Sequence, residues 1–151
     1  TPWIDGEKAV MASAAALKKP TAVSLETHAQ EWNEIFKGIQ GAVDIVAFQD
    51  GHVAYEQLRS YLEVNKKLAD QYGLVSWTNT ESFDRDMPIK FLPIKFDKLQ
   101  YKLAQAAAVG MEKAITFEFS HFMSPQSAYK QAGHLYQRYT DYYLNSNTQN
   151  P

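Results

Sequence analysis

Leu74-Val75-Ser76-Trp77-Thr78-Asn79-Thr80-Glu81 is the stretch from which the rest of the chain can be ordered. It leaves Gly73, is rich in branched and aromatic side chains, and predicts a buried strand that starts at a helix-terminating glycine. Val43-Asp44-Ile45-Val46-Ala47-Phe48-Gln49-Asp50 and Ala114-Ile115-Thr116-Phe117-Glu118-Phe119-Ser120 read the same way. Between the first two strands, Tyr55, Leu58, Tyr61, Leu62 and Leu68 recur at helical spacing. Between the second and third, Leu99, Leu103, Ala106, Ala107 and Val109 do so and stop at Gly110. The stretch holding Pro88 and Pro93 is expected to be an irregular loop. Upstream, Thr27 is expected to cap a helix carrying Trp32, Ile35, Phe36 and Ile39, the alanine-rich segment 8–19 to be helical, and Thr1-Pro2-Trp3-Ile4 to be the end of a strand. Downstream, Ser124-Pro125 predicts an N-cap and first helical position before Tyr129, Leu135, Tyr136, Tyr139 and Tyr143. Strands alternating with long helices imply an α/β fold with parallel neighbours and right-handed crossovers. One domain over residues 1–151 is expected, either a small three-layer sandwich or part of a closed barrel.

Composition removes several functions. The chain has 151 residues and a net charge of -2, and its fifteen basic and seventeen acidic side chains are dispersed. No field gathers phosphates, so no nucleic-acid partner is expected. The apolar runs fall short of the roughly 18 residues a membrane span requires. With no cysteine, thiolate metal sites and thiol nucleophiles are excluded. His28, His52, His121 and His134 show no metal-binding spacing, and no metal is expected. No glycine-rich phosphate loop follows a strand and no serine sits in a nucleophile elbow, so neither a cofactor nor serine hydrolysis is expected.

Polar residues gather instead where strands end. Val75, Trp77, Asn79 and Glu81 alternate onto one strand face. If that face points into a barrel, an aromatic ring, an amide and a carboxylate rise in order toward its mouth. This combination suits a sugar: Trp77 stacks on pyranose C–H groups, Asn79 bonds a hydroxyl, and Glu81 serves as nucleophile or acid/base. The other reading makes Glu81 a turn cap and Trp77 a core residue. Asp50, preceded by Gln49 and followed by Gly51, is the second candidate carboxylate, exposed by a tight turn at Gly51 or engaged in capping the next helix. Glu118 is a weaker candidate. His121 is expected later in the same strand, on the Phe119 face, as a substrate contact or a hydrogen-bonded structural group.

The phrases Thr1-Pro2-Trp3-Ile4, Ala47-Phe48-Gln49-Asp50-Gly51, Trp77-Thr78-Asn79-Thr80-Glu81-Ser82-Phe83 and Phe117-Glu118-Phe119-Ser120-His121-Phe122-Met123-Ser124-Pro125 together resemble a glycoside-hydrolase-like barrel family, domain of unknown function 4434, common in secreted Bacteroidota proteins. The resemblance implies the second half of a (β/α)8 TIM-type barrel, with 1–151 a partial barrel. It also implies a secreted, periplasmic or cell-surface location and an oligosaccharide or glycan partner. Glu81 would stand where retaining barrel glycosidases place a nucleophile, while their acid/base partner comes from a strand outside this chain. Glu81 and Asp50 are the expected catalytic carboxylates. Trp77, Asn79, Gln49, His121 and Trp3 are the expected substrate contacts. The competing expectation is a non-catalytic carbohydrate-binding or assembly module, inactive alone. Half of a parallel barrel exposes two strand edges, so a homodimer or a missing N-terminal half is expected.

Overall fold

The computed structural model describes residues 24–87 and 90–147. Trp3, the strand end at 1–4 and the helix expected at 8–19 lie outside the described residues. The elements run α1 (Leu25–Ile39), β1 (Ile45–Gln49), α2 (Leu58–Tyr72), β2 (Val75–Glu81), β3 (Phe83–Met87), β4 (Lys90–Pro93), α3 (Phe96–Ala108), β5 (Ala114–Phe117), α4 (Phe119–Phe122) and α5 (Lys130–Asn147). β1, β2 and β5 form one sheet in that order, and β3 and β4 a separate pair. The sequence's alternation of parallel strands and helices is present. The described residues divide into two compact units, 24–80 with 102–115, and 81–87 and 90–101 with 116–147.

In the first unit β1 and β2 pair in parallel, Ala47 beside Trp77 and Gln49 beside Asn79. The strands lie parallel because α2 carries the chain back between them. That helix ends as its glycine dictates: Gly73 adopts φ 70 and Leu74 N donates to Ala69 O at 2.8 Å. Such a left-handed terminator suits a residue without Cβ. Gly110 repeats the device at φ 84, with Met111 N donating to Ala106 O. At the other end of the unit, Ser24 caps α1 by accepting from Thr27 N at 3.2 Å. Thr27, expected to be the cap, is therefore already inside the first turn.

Two apolar clusters hold this unit. Trp32 and Phe36 of α1 pack with Val43, Val46, Leu68, Ala69 and Leu74. Phe48 packs with Leu58, Leu62, Ala106 and Met111. Fully burying a large apolar side chain contributes roughly 1.5–3 kcal/mol, and Phe36 and Leu62 have no exposed surface. A polar pair crosses from α1 to α2 beside these clusters: Asn65 Nδ2 lies 3.2 Å from His28 Nε2 and donates to Tyr61 O at 2.8 Å. The His28 ring packs against Tyr61, Trp32 and Phe48. Burial pushes its pKa down to about 4.

The second unit departs from the sequence reading in three places. The stretch expected to be an irregular loop is strand on both sides of Pro88 and Ile89, which lie outside the described residues. It forms an antiparallel pair with Phe83 opposite Pro93 and Asp84 opposite Leu92, irregular before Met87 meets Lys90. Pro93 is tolerated because it ends a strand of a two-stranded ribbon, where a missing N–H costs little. The third expected strand stops at Phe117, and the chain turns into α4, capped by Glu118, whose side chain accepts from His121 N. Third, Ser124-Pro125 does not start the final helix, which begins at Lys130. The Ser124 hydroxyl accepts from Gln126 N and the Ser127 hydroxyl from Tyr129 N, both at 3.1 Å. These local bonds draw the backbone into turns and delay the helix.

Candidate functional site

In the first unit, strand pairing sorts the expected residues by face. Gln49 and Asn79 are partners in register, as are Ala47 and Trp77, so Gln49, Trp77 and Asn79 share one face of the sheet. All three are half-buried, while the alternate residues Ser76, Thr78 and Thr80 are buried. Lys113 Nζ sits 5.2 Å from the Trp77 ring centre, a cation over an aromatic face. Asn79 Oδ1 is buried and accepts no hydrogen bond among the described residues. The structure thus brings three of the predicted substrate contacts together.

Asp50 goes elsewhere. Its side chain is 2% exposed and meets Lys102 Nζ at 3.0 Å. Lys102 also lies over the Tyr55 ring, 5.5 Å from its centre. The turn after Asp50 takes its left-handed residue at His52, φ 66, where Gly51 had been expected to supply it. Nor does Asp50 cap the following helix, whose N-cap position is Gln57. Lys102 was missed in the sequence, although a signal existed. Leu99, Lys102, Leu103 and Ala106 fall on one helical stripe, and a lysine on a stripe otherwise apolar calls for a buried counter-charge.

Glu81 opens the second unit. Arg85 holds it by two bonds, from Nε to Oε2 at 2.9 Å and from Nη2 to Oε1. The Glu81 side chain is 3% exposed and the Arg85 side chain 28%. A forked guanidinium fixes the plane of the carboxylate it grips. Arg85 in turn lies 5.2 Å from the centre of the Phe83 ring and 5.9 Å from that of Phe91, and Phe83 meets Phe122 at 4.5 Å. Arg85 was also missed, its only trace being a cation four residues after the carboxylate.

Ser82, next to Glu81, is completely buried. Its N–H donates to Phe117 O at 2.8 Å and its hydroxyl to Glu118 O at 3.2 Å. Beyond that tie, Glu118 Oε1 receives His121 N at 2.7 Å and lies 2.5 Å from His121 Nδ1. Burial would raise the Glu118 pKa, but the His121 N–H, ring and charge outweigh it and hold the carboxyl below its ordinary range. His121 is therefore in a short helix rather than in the strand expected to carry it. Glu118, judged the weaker candidate, is its partner. Among the described residues no three His, Asp or Glu side chains group as a metal site.

With this arrangement established, the DUF4434 family, described as a domain of unknown function, matches residues 2–129. The chain belongs to DUF4434. This DUF4434 chain is similar to a solved structure from Bacteroides thetaiotaomicron VPI-5482 described as "a putative alpha-L-fucosidase", with 62% identity and a TM-score of 0.79. The likeness covers 93% of the DUF4434 chain and 41% of the solved one, so the chain spans less than half of that protein's length. Comparison with curated proteins gives no match.

Proposed function

We propose that this DUF4434 chain forms part of a (β/α)8-type, carbohydrate-active protein that hydrolyses glycosidic bonds in an oligosaccharide or glycan outside the cell. The carrying observation is its 62% identity, over 93% of its length, to a protein described as "a putative alpha-L-fucosidase". In this reading Glu81 is the carboxylate at the reacting carbon. It stabilises an oxocarbenium-like transition state and either attacks that carbon or activates water. Arg85 fixes the carboxylate plane, so that reactive geometry is prepared before substrate arrives. Gln49, Trp77 and Asn79 supply the amide and aromatic contacts, Asn79 Oδ1, without a partner among the described residues, accepting from a hydroxyl. Asp50 is the second carboxylate of the proposal, with Lys102 holding its charge.

A second reading, a non-catalytic carbohydrate-binding module, draws support from the near-complete burial of that Asp50–Lys102 pair, because a general acid must reach the leaving oxygen. The test is turnover of aryl α-L-fucosides and a panel of other aryl glycosides by the full-length protein, wild type beside Glu81→Gln. Glutamine keeps the size of the side chain and loses its charge, so turnover should fall by about 10²–10⁴-fold. Equal turnover by both proteins removes Glu81 from the chemistry. Binding without turnover supports the module.

A further inference from the structure

We propose that Glu118 is a positioning residue for His121, and that the pair forms a sugar-contacting element in which His121 presents Nε2 to a ring hydroxyl. The inference rests on the carbohydrate reading above and adds to it a residue role and a ligand atom type. Three observations in the second unit carry it.

The first is placement. Ser82 ties the residue after Glu81 to the carbonyls of Phe117 and Glu118, so the dyad starts at the chain segment to which the Glu81 end of β2 is pinned. The second is the way Glu118 is used. One oxygen takes both the backbone N–H of His121 and the ring Nδ1. Capping α4 needs only the backbone bond. The ring bond does something else: the carboxylate accepts the Nδ1 proton, and an imidazole held this way turns Nε2 away from Glu118 as the nitrogen free to meet a hydroxyl. The His121 side chain is 73% exposed. An exposed pair of this kind contributes little stability, and its effect is to fix the orientation of the ring. The third observation is the surrounding surface. Phe117 and Phe119 flank Glu118 in the chain and are 46% and 49% exposed. Exposed aromatic rings on the same short stretch as a directed hydrogen-bonding nitrogen suit the apolar C–H face and outward hydroxyls of a pyranose.

The test begins with nitrogen NMR of the imidazoles in the full-length protein. Wild type should show His121 with its Nδ1 proton in place and hydrogen-bonded. Glu118→Ala should lose that signature, whereas Glu118→Gln should keep it because an amide oxygen still accepts from Nδ1–H. An Nε2–H tautomer in wild type overturns the proposal at this step. L-fucose and the sugars of the aryl glycoside panel are then titrated. His121→Ala and Glu118→Ala should bind roughly three- to tenfold more weakly, the worth of one hydrogen bond, and Glu118→Gln should bind as wild type does. If wild type binds a sugar and His121→Ala binds it equally, this inference fails while the carbohydrate reading stands. If wild type neither binds nor cleaves any sugar tested, the carbohydrate reading fails and takes this inference with it.

Discussion

At Lys102 an apolar helix stripe is broken by one charge, and at Asp50 a strand end delivers the opposite charge; neither side chain is more than 10% exposed. Their attraction offsets two desolvation penalties, so the pair's net contribution is small while the loss of one member is costly. Lys102→Met should therefore destabilise the protein by about 3–5 kcal/mol. Adding Asp50→Asn should return most of that, which denaturant unfolding of both variants would show. His28 supplies a pH dependence. Its folded pKa of about 4 lies below the ordinary 6.5, so the unfolded chain takes up the proton first. The stability held in neutral His28 is full above about pH 6.5 and drains away as pH falls toward 4. In the protonated form both Nε2 and Asn65 Nδ2 would be donors, opposing each other across 3.2 Å. His28→Phe should flatten this part of the stability profile, and thermal melting from pH 7 to 4 measures it.

Among the elements, the helix ends were the most legible. Gly73 and Gly110 follow apolar periodic runs, and each takes the left-handed conformation that a terminator requires. Gly73 at φ 70 has no atom within 4 Å of a would-be Cβ. Gly73→Ala should thus cost only backbone strain, about 1–2 kcal/mol, seen as a lower denaturation midpoint with unchanged slope. Elements fixed by side-chain-to-backbone bonds were harder to see. Ser124 and Ser127 divert an apparent helix start, and Glu118 stops a strand by capping a turn from three residues away. Periodicity carries no record of such bonds, because they depend on which of several nearby amides a hydroxyl or carboxylate reaches. The β3–β4 pair was obscured by Pro93, which is acceptable at the end of a strand in a two-stranded ribbon and would not be in a central strand. The candidate carboxylates were visible at strand ends. Their cations, Arg85 and Lys102, needed three-dimensional contact to be assigned.

For the whole molecule, the sheet of the described residues has three strands, and β5 lies at one edge of it. Ile115 and Phe117 on that strand are 42% and 46% exposed. An edge of this kind recruits another strand, and the related solved protein extends well beyond the matched part. We expect the 151-residue chain on its own to self-associate. Ile115→Lys should weaken that association, as sedimentation equilibrium across a concentration series would show. A monomer at every concentration would count against strand recruitment.

The hairpin has a consequence for how such a protein changes over evolutionary time. Ile94 N donates to Ser82 O at 3.0 Å, closing the excursion 83–93 at its base. Arg85, which grips Glu81, and Phe83 and Phe91, against which Arg85 lies, all travel on that excursion. Ser82 independently holds the carbonyls of Phe117 and Glu118. The segment is thus a cassette with its own latch. Homologues could exchange it, lengthen it or redecorate it, altering what grips the carboxylate while Ser82 keeps its hold on the neighbouring chain. Sequence change within the family would then concentrate between Ser82 and Ile94, the stretch where a graft from one member to another has the best chance of carrying its grip on Glu81 with it.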